Sequence, residues 1–168
     1  MKNILLIVPT LYAGGGTERV LVNLANNLSD NHNIFILVRR LDNKFDYVIS
    51  SKCKIITSFQ PFILFSIFNR LIFMLHILII NLRFRINKNI SFTNSISIDL
   101  GRFLPNKTIA FEHWPLVKYE NQPILLKKIK KIYSKLDAII VLNQNELKKY
   151  NDLLDSNNEN IYIIYNST

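Results

Sequence analysis

Three consecutive glycines, Gly14, Gly15 and Gly16, follow the first apolar run of the chain, Ile4 to Val8, and precede an amphipathic stretch that begins at Thr17. Glycine admits positive φ and lets a ligand approach the backbone closely. The first turn of a helix offers unpaired N–H groups and a partial positive charge. A glycine turn opening a helix is therefore suited to hold a phosphate. It is equally what a tight strand-to-helix turn requires. Thr17 is expected to cap the helix. Glu18 and Arg19 stand next to this turn.

Several phosphate and hydrolase motifs are excluded. A dinucleotide fingerprint needs a further glycine three residues after Gly16, where Arg19 stands. The second apolar run ends in Arg39-Arg40 and not in an acidic residue, which disfavours NAD, although arginines suit a 2′-phosphate. No Gly-Lys-Ser/Thr P-loop and no Gly-x-Ser-x-Gly elbow is present. His32, His76 and His113 are far apart and lack metal-ligand spacing. His113 has Glu112 and Trp114 beside it. The histidine can be a structural group capping a strand or a ligand-facing one at a sheet edge. Glu112 could orient it or simply be exposed. Trp114 could stack on a ligand or sit at the edge of a core.

These residues need elements to position them. Strand-length apolar runs lie near 3–8, 33–38, 54–57, 89–93, 107–111, 138–142 and 161–165, with helical patterns between most of them. Such alternation predicts an α/β fold, a single Rossmann-like domain with a mostly parallel sheet and helices on both faces. The runs are continuous in Ile, Leu and Val, as expected where both sheet faces are covered. The first helix should bury Val20, Leu21, Leu24, Ala25 and Leu28, and a helix near 124–136 should bury Leu125, Ile129, Ile132 and Leu136. Lys127, Lys128, Lys130, Lys131 and Lys135 then form its solvated face. Residues 59–86 are apolar nearly all round. As a helix they align Leu64, Phe68, Leu71, Leu75, Leu78 and Leu82, a stripe expected to face the core. The other side carries Ser66, Asn69, Arg70, His76, Asn81 and Arg83, and also Phe65, Phe73, Ile77 and Ile80. Asn69, Arg70 and His76 interrupt any membrane span. With Arg83, Arg85 and Lys88 following, a helix in the membrane interface is one reading and a well-buried helix is the other.

The 168 residues carry 21 Lys and Arg against 12 Asp and Glu, a formal charge of +9. That balance favours anionic partners: nucleotide phosphates or acidic lipids. No nucleic-acid module accompanies it, so nucleic acid is not expected as a partner. The lone cysteine, Cys53, allows no internal disulfide and suits a reducing compartment. The expected location is cytoplasmic, with peripheral attachment to the inner face of the cell membrane as a second option.

The segment GGGTERVLVNLANNL resembles the opening motif of family 4-type retaining glycosyltransferases of the GT-B fold. TIAFEHWPL, 108–116, resembles that family's strand ending in a histidine at the cleft. LDAIIVLNQNELKKY, 136–150, resembles its next strand and helix, and IYIIYNST, 161–168, the strand that leads to the interdomain linker. The four segments fall in the family's order over essentially the whole chain.

The resemblance implies two Rossmann-like domains facing across a cleft, of which residues 1–168 are the N-terminal, acceptor-side one. A nucleotide-sugar would be the donor and a glycan or lipid-linked molecule the acceptor. Gly15 and Gly16 would contact the donor diphosphate, with Gly14 shaping the turn. Thr17, Glu18 and Arg19 would support the loop, with a salt bridge between Glu18 and Arg19 as one means. His113 would be catalytic, near the transferred sugar, and Glu112 and Trp114 would contact acceptor or sugar. No cofactor and no metal is implied. The C-terminal donor-binding domain is absent from this sequence. The isolated chain is therefore expected to be weakly active or inactive unless a separate C-terminal domain is supplied. The competing expectation is a non-catalytic module that binds a membrane interface or a partner.

Overall fold

The computed structural model describes residues 1–12, 15–42, 45, 47–58, 66–154 and 160–165, with Ser66 and Ile67 by backbone alone. Gly14, Leu64, Phe65 and the Asn166-Ser-Thr end lie outside the described residues. Among the described residues seven strands and five α-helices follow one another: β1 (Asn3–Leu11), α1 (Gly16–Leu28), β2 (Asn33–Leu41), β3 (Lys54–Thr57), α2 (Ser66–Arg83), β4 (Lys88–Ser91), α3 (Asn94–Phe103), β5 (Thr108–Phe111), α4 (Pro123–Tyr133), β6 (Ala138–Val141), α5 (Gln144–Leu154) and β7 (Ile161–Ile163). The seven expected strands all form. They make one parallel sheet in the order β3-β2-β1-β4-β5-β6-β7. The chain packs as two compact units, Met1–Asn89 and Ile90–Thr168.

In the first unit, β1 runs beside β2 in register from Asn3↔Asn33 to Leu11↔Leu41. Leu5, Leu6 and Ile7 are consecutive and all fully buried, which only a strand covered on both faces achieves. α1 buries Leu21, Val22 and Ala25. Val20, Leu24 and Leu28 are only half-buried, so the buried stripe is turned slightly from the expected one.

α2 corrects the sequence expectation most sharply. The stripe expected to face the core is exposed at Phe68, Leu71, Leu75 and Leu82. The opposite side, with Phe73, Ile77 and Ile80, is the buried one, together with Met74. The reason lies in the polar groups of that side, which find partners inside the fold. Asn81 exchanges two amide hydrogen bonds with the fully buried Asn89, at 2.9 and 3.0 Å. Its Nδ2 also donates to the Ile77 carbonyl at 2.9 Å. His76 Nδ1 lies 3.1 Å from Ser58 Oγ, and the Arg39 guanidinium sits 4.3 Å over the Phe73 ring. Satisfied polar groups can be buried at little cost, so an apolar-all-round helix can turn either side inward.

In the second unit, β5, β6 and β7 pair in parallel. α4 begins at Pro123, whose missing N–H costs nothing in a first turn. It buries Ile129, Ile132 and Tyr133, and the chain beyond it buries Leu136. The five lysines from Lys127 to Lys135 are exposed, as their spacing predicts. Gly101, inside α3, allows close packing: a Cβ there would strike the side chains of Ile132 and Leu136.

Candidate functional site

The glycine turn lies in the first unit. Helix α1 starts at Gly16 and its N-cap is Gly15, at φ −81° and ψ 141°. Thr17 is therefore the second helical residue and not the cap, and no side chain caps this helix. The Arg19 N–H makes the first helical bond, 3.1 Å to the Gly15 carbonyl, which also accepts from Tyr47 Oη at 3.4 Å. Glu18 is buried, and its carboxylate lies so close over Gly15 that a Cβ there would overlap it. That arrangement puts negative charge against the positive end of α1. A Cβ on Gly16 would meet nothing within 4 Å, so this position is open. Arg19 is exposed, and no ion pair joins it to Glu18 among the described residues. The Gly14 assignment falls outside the described residues.

Glu112, His113 and Trp114 come together in the second unit, where β5 ends. They line a pocket of about 160 Å³ with Val141, Leu142 and Asn143 at the end of β6 and Glu146 and Tyr150 on α5. The pocket thus opens at the carboxyl ends of two neighbouring parallel strands, the usual ligand position in such sheets.

Glu112 continues the ladder, its N–H donating 2.8 Å to the Ile140 carbonyl. Its carboxylate is buried and accepts a hydrogen bond from Tyr133 Oη. Tyr150 Oη is also close enough to favour its charge, but it lacks a hydrogen bond of standard geometry. Burial outweighs both hydroxyls and pushes Glu112 up to about 7. The same burial and the Glu112 charge push Tyr133 and Tyr150 up, so both phenols stay protonated. Tyr119 rises to about 12, by burial first and by Glu112 second.

The His113 ring stacks on Phe111 at 4.8 Å and on Phe92 at 5.6 Å between centroids. Burial holds it down to about 4, so the imidazole is neutral at pH 7. Its Nε2 is buried with no hydrogen-bond partner among the described residues. An unmet buried nitrogen costs about 1–3 kcal/mol, a cost that a ligand hydroxyl would remove. Trp114 is half exposed, and Lys118 Nζ stands 3.2 Å over its ring. One face is thus taken by a cation.

The pocket floor is built by α5. Asn143 Oδ1 accepts from the Glu146 N–H at 2.9 Å, a helix N-cap. Glu146, buried, accepts from the Leu116 N–H at 2.7 Å and pairs with Lys149 at 3.4 Å. Its carboxylate opposes an anion at this helix end. Two buried carboxyl groups, a neutral imidazole and an aromatic face suit an uncharged, hydroxyl-rich ligand. Sequence reasoning missed Tyr133, Tyr150 and Glu146. The only signal was that all three lie on helices whose apolar stripes they join. Among the described residues no group of three or more His, Cys, Asp or Glu could hold a metal ion.

No protein-family model matches this chain, and no curated protein matches it. Solved structures do. Sucrose-phosphate synthase from Thermosynechococcus elongatus matches with a TM-score of 0.75 at 16% identity, over 100% of this chain and 49% of that one. The lipopolysaccharide outer core galactosyltransferase WaaB, in its apo form, matches with a TM-score of 0.72 at 16% identity, over 99% and 46%. The Anabaena protein HepE, solved with UDP and glucose, matches with a TM-score of 0.65 at 13% identity, over 98% and 44%. The chain spans about half the length of the structures it matches. Its fold is that of one half of a GT-B glycosyltransferase.

Proposed function

We propose that this chain is the acceptor-side half of a family 4-type retaining glycosyltransferase, moving a sugar from a nucleotide-sugar to a glycan or lipid-linked acceptor. The observation that carries this reading is the pocket at the ends of β5 and β6, on a fold that matches half of GT-B enzymes. It presents a neutral imidazole with an unmet Nε2, two carboxyl groups and a tryptophan ring. A neutral His113 can bond a sugar hydroxyl without repelling the positive charge that builds on a sugar during transfer. Trp114 offers the apolar face of a pyranose one side of its ring.

Gly15 and Gly16, with Gly14 before them, are assigned to the donor diphosphate, whose entry requires the Glu18 carboxylate to turn away from Gly15. Charge builds on that leaving group, and fixed backbone dipoles stabilise it without reorganising. The open position at Gly16 fits close approach of a phosphate. No cofactor and no metal is called for. HepE, one of the matched structures, holds UDP and glucose, which makes UDP-glucose the donor to try first.

The experiment joins the chain to a GT-B donor-side half and follows sugar transfer from UDP-glucose. Transfer is expected only with both halves present. Gly16→Val, whose side chain would fill the space a phosphate approaches through, and His113→Ala, which removes a hydrogen-bonding partner of the sugar, should each lower it by about tenfold, roughly the weight of one hydrogen bond. Unchanged rates in both variants would overturn the site assignment. The second reading, a non-catalytic membrane-interface or partner-binding module, draws on the outward apolar face of α2.

A further inference from the structure

The outward side of α2 carries five large apolar residues, Phe68, Leu71, Leu75, Ile79 and Leu82, all about half exposed or more. Their spacing follows one face of the helix from Phe68 to Leu82. Single exposed apolar residues need no explanation, but a continuous row of five does.

The charge around this row is one-sided. From Tyr47 to Ile98 the sequence has no acidic residue and carries Lys52, Lys54, Arg70, Arg83, Arg85 and Lys88, of which Lys52 is paired with Asp30 at 2.8 Å. The cations gather where α2 ends. Lys54 Nζ and the Arg83 guanidinium lie 5.1 and 5.5 Å from the same Phe84 ring. Arg85 is exposed and sits at φ 48°, the one non-glycine residue at positive φ among the described residues. The helix closes there with two backbone bonds, Ile86 N–H to Asn81 at 3.0 Å and Arg85 N–H to Leu82 at 3.4 Å. Glycine is the residue that fits such a closing position without strain. Here an arginine occupies it and extends the basic end.

We propose that the outward face of α2 and its basic end dock on an anionic lipid bilayer, the helix lying in the plane of the interface. The apolar row enters the boundary of the acyl chains while the arginines and Lys54 meet lipid phosphates. No described helix is long and apolar enough to cross a membrane, which agrees with a helix that lies flat. A second copy of the chain is the weaker occupant, since it offers the exposed Lys54, Arg83 and Arg85 no acidic group on this face of its own. The inference stands on α2 alone and does not depend on sugar transfer.

The test is co-sedimentation of the 168-residue chain with vesicles, one set rich in phosphatidylglycerol and one of phosphatidylcholine only. Binding is expected to the anionic set, weakening as salt rises. The Leu71→Ser/Leu75→Ser variant should lose about tenfold or more in affinity. Arg83→Gln/Arg85→Gln should lose roughly 25-fold at low salt, about fivefold per cation. All these positions are exposed, so unchanged circular dichroism is expected and separates binding from folding. Absence of anionic binding at low salt, or wild-type binding by both variants, would overturn the proposal. So would a dimer in light scattering that Leu71→Ser/Leu75→Ser dissolves, which would give this face to a second copy.

Discussion

Glu112 and His113 are neighbours in the chain, yet one accepts a hydrogen bond from Tyr133 while the other stacks on Phe111 and Phe92. Extended backbone sends successive side chains to opposite sides. The same burial therefore acts on two groups of opposite charge type. It raises the carboxyl to about 7 and lowers the imidazole to about 4.

Opposed pH slopes follow from that pair. Glu112 is raised from 4.5, so its contribution to stability is fully present below 4.5 and lost as pH rises through 7. His113 is lowered from 6.5, so its contribution is present above 6.5 and lost as pH falls through 4. Between about 4.5 and 6.5 the two slopes oppose each other. Urea midpoints across this range should show it by difference from wild type. Glu112→Gln should lose stability faster on acidification, and His113→Gln should lose it faster as pH rises. Parallel curves for all three proteins would refute the assigned shifts.

The strands were legible because Ile, Leu and Val run without interruption, a pattern that fits few alternatives to a doubly covered parallel sheet. The pocket was legible in part. Glu112, His113 and Trp114 stand together in sequence, so one strand end delivers all three. Tyr133, 21 residues from Glu112, could not be paired with it, because helix packing and not local pattern makes that contact. The facing of α2 was illegible for a different reason. Both of its sides are apolar, and the choice is made by Asn81, His76 and Phe73 finding Asn89, Ser58 and Arg39. The start of α1 was misplaced because Thr17 is a good cap by type, while the acid at Glu18 folds back over Gly15 instead.

The glycine turn gives a clean separation of folding from binding. Gly16 has open space around its Cα, so Gly16→Ala should fold as well as wild type, with thermal stability unchanged or higher by up to about 1 kcal/mol. Gly15→Ala must move the Glu18 carboxylate, the end of a flexible side chain, and puts alanine at the N-cap, so it should cost up to about 1 kcal/mol. Thermal melts of the two variants decide it. If Gly16→Ala were the more destabilised, the turn would be built differently from this structure.

Gly101 is the opposite case, a helix interior where alanine is normally better by about 1 kcal/mol. Here its Cβ would enter the space of Ile132 and Leu136, side chains packed on the far side of a tight helix contact. Overpacking of that kind costs about 1–3 kcal/mol. Gly101→Ala should therefore lower stability despite its better helix propensity. Ile132→Ala, which removes the Cγ2 that the new Cβ meets, should cost less in the Gly101→Ala background than alone, and a denaturation cycle on the two sites measures the coupling.

Arg85 is where the folding and docking demands separate. Its φ of 48° is one that an L side chain adopts at a cost of about 1–2 kcal/mol, while glycine bears none of it. Arg85→Gly should therefore raise the urea midpoint of the chain by the equivalent of roughly 1 kcal/mol. The same change removes one cation from the basic end of α2. On anionic vesicles it should weaken binding about fivefold at low salt, with little difference at high salt. A variant that gains stability while losing membrane affinity would show that the arginine serves the surface and not the fold. Gain of stability with unchanged vesicle binding would leave Arg85 a strained helix terminus and restrict the lipid contact to Lys54, Arg83 and the apolar row.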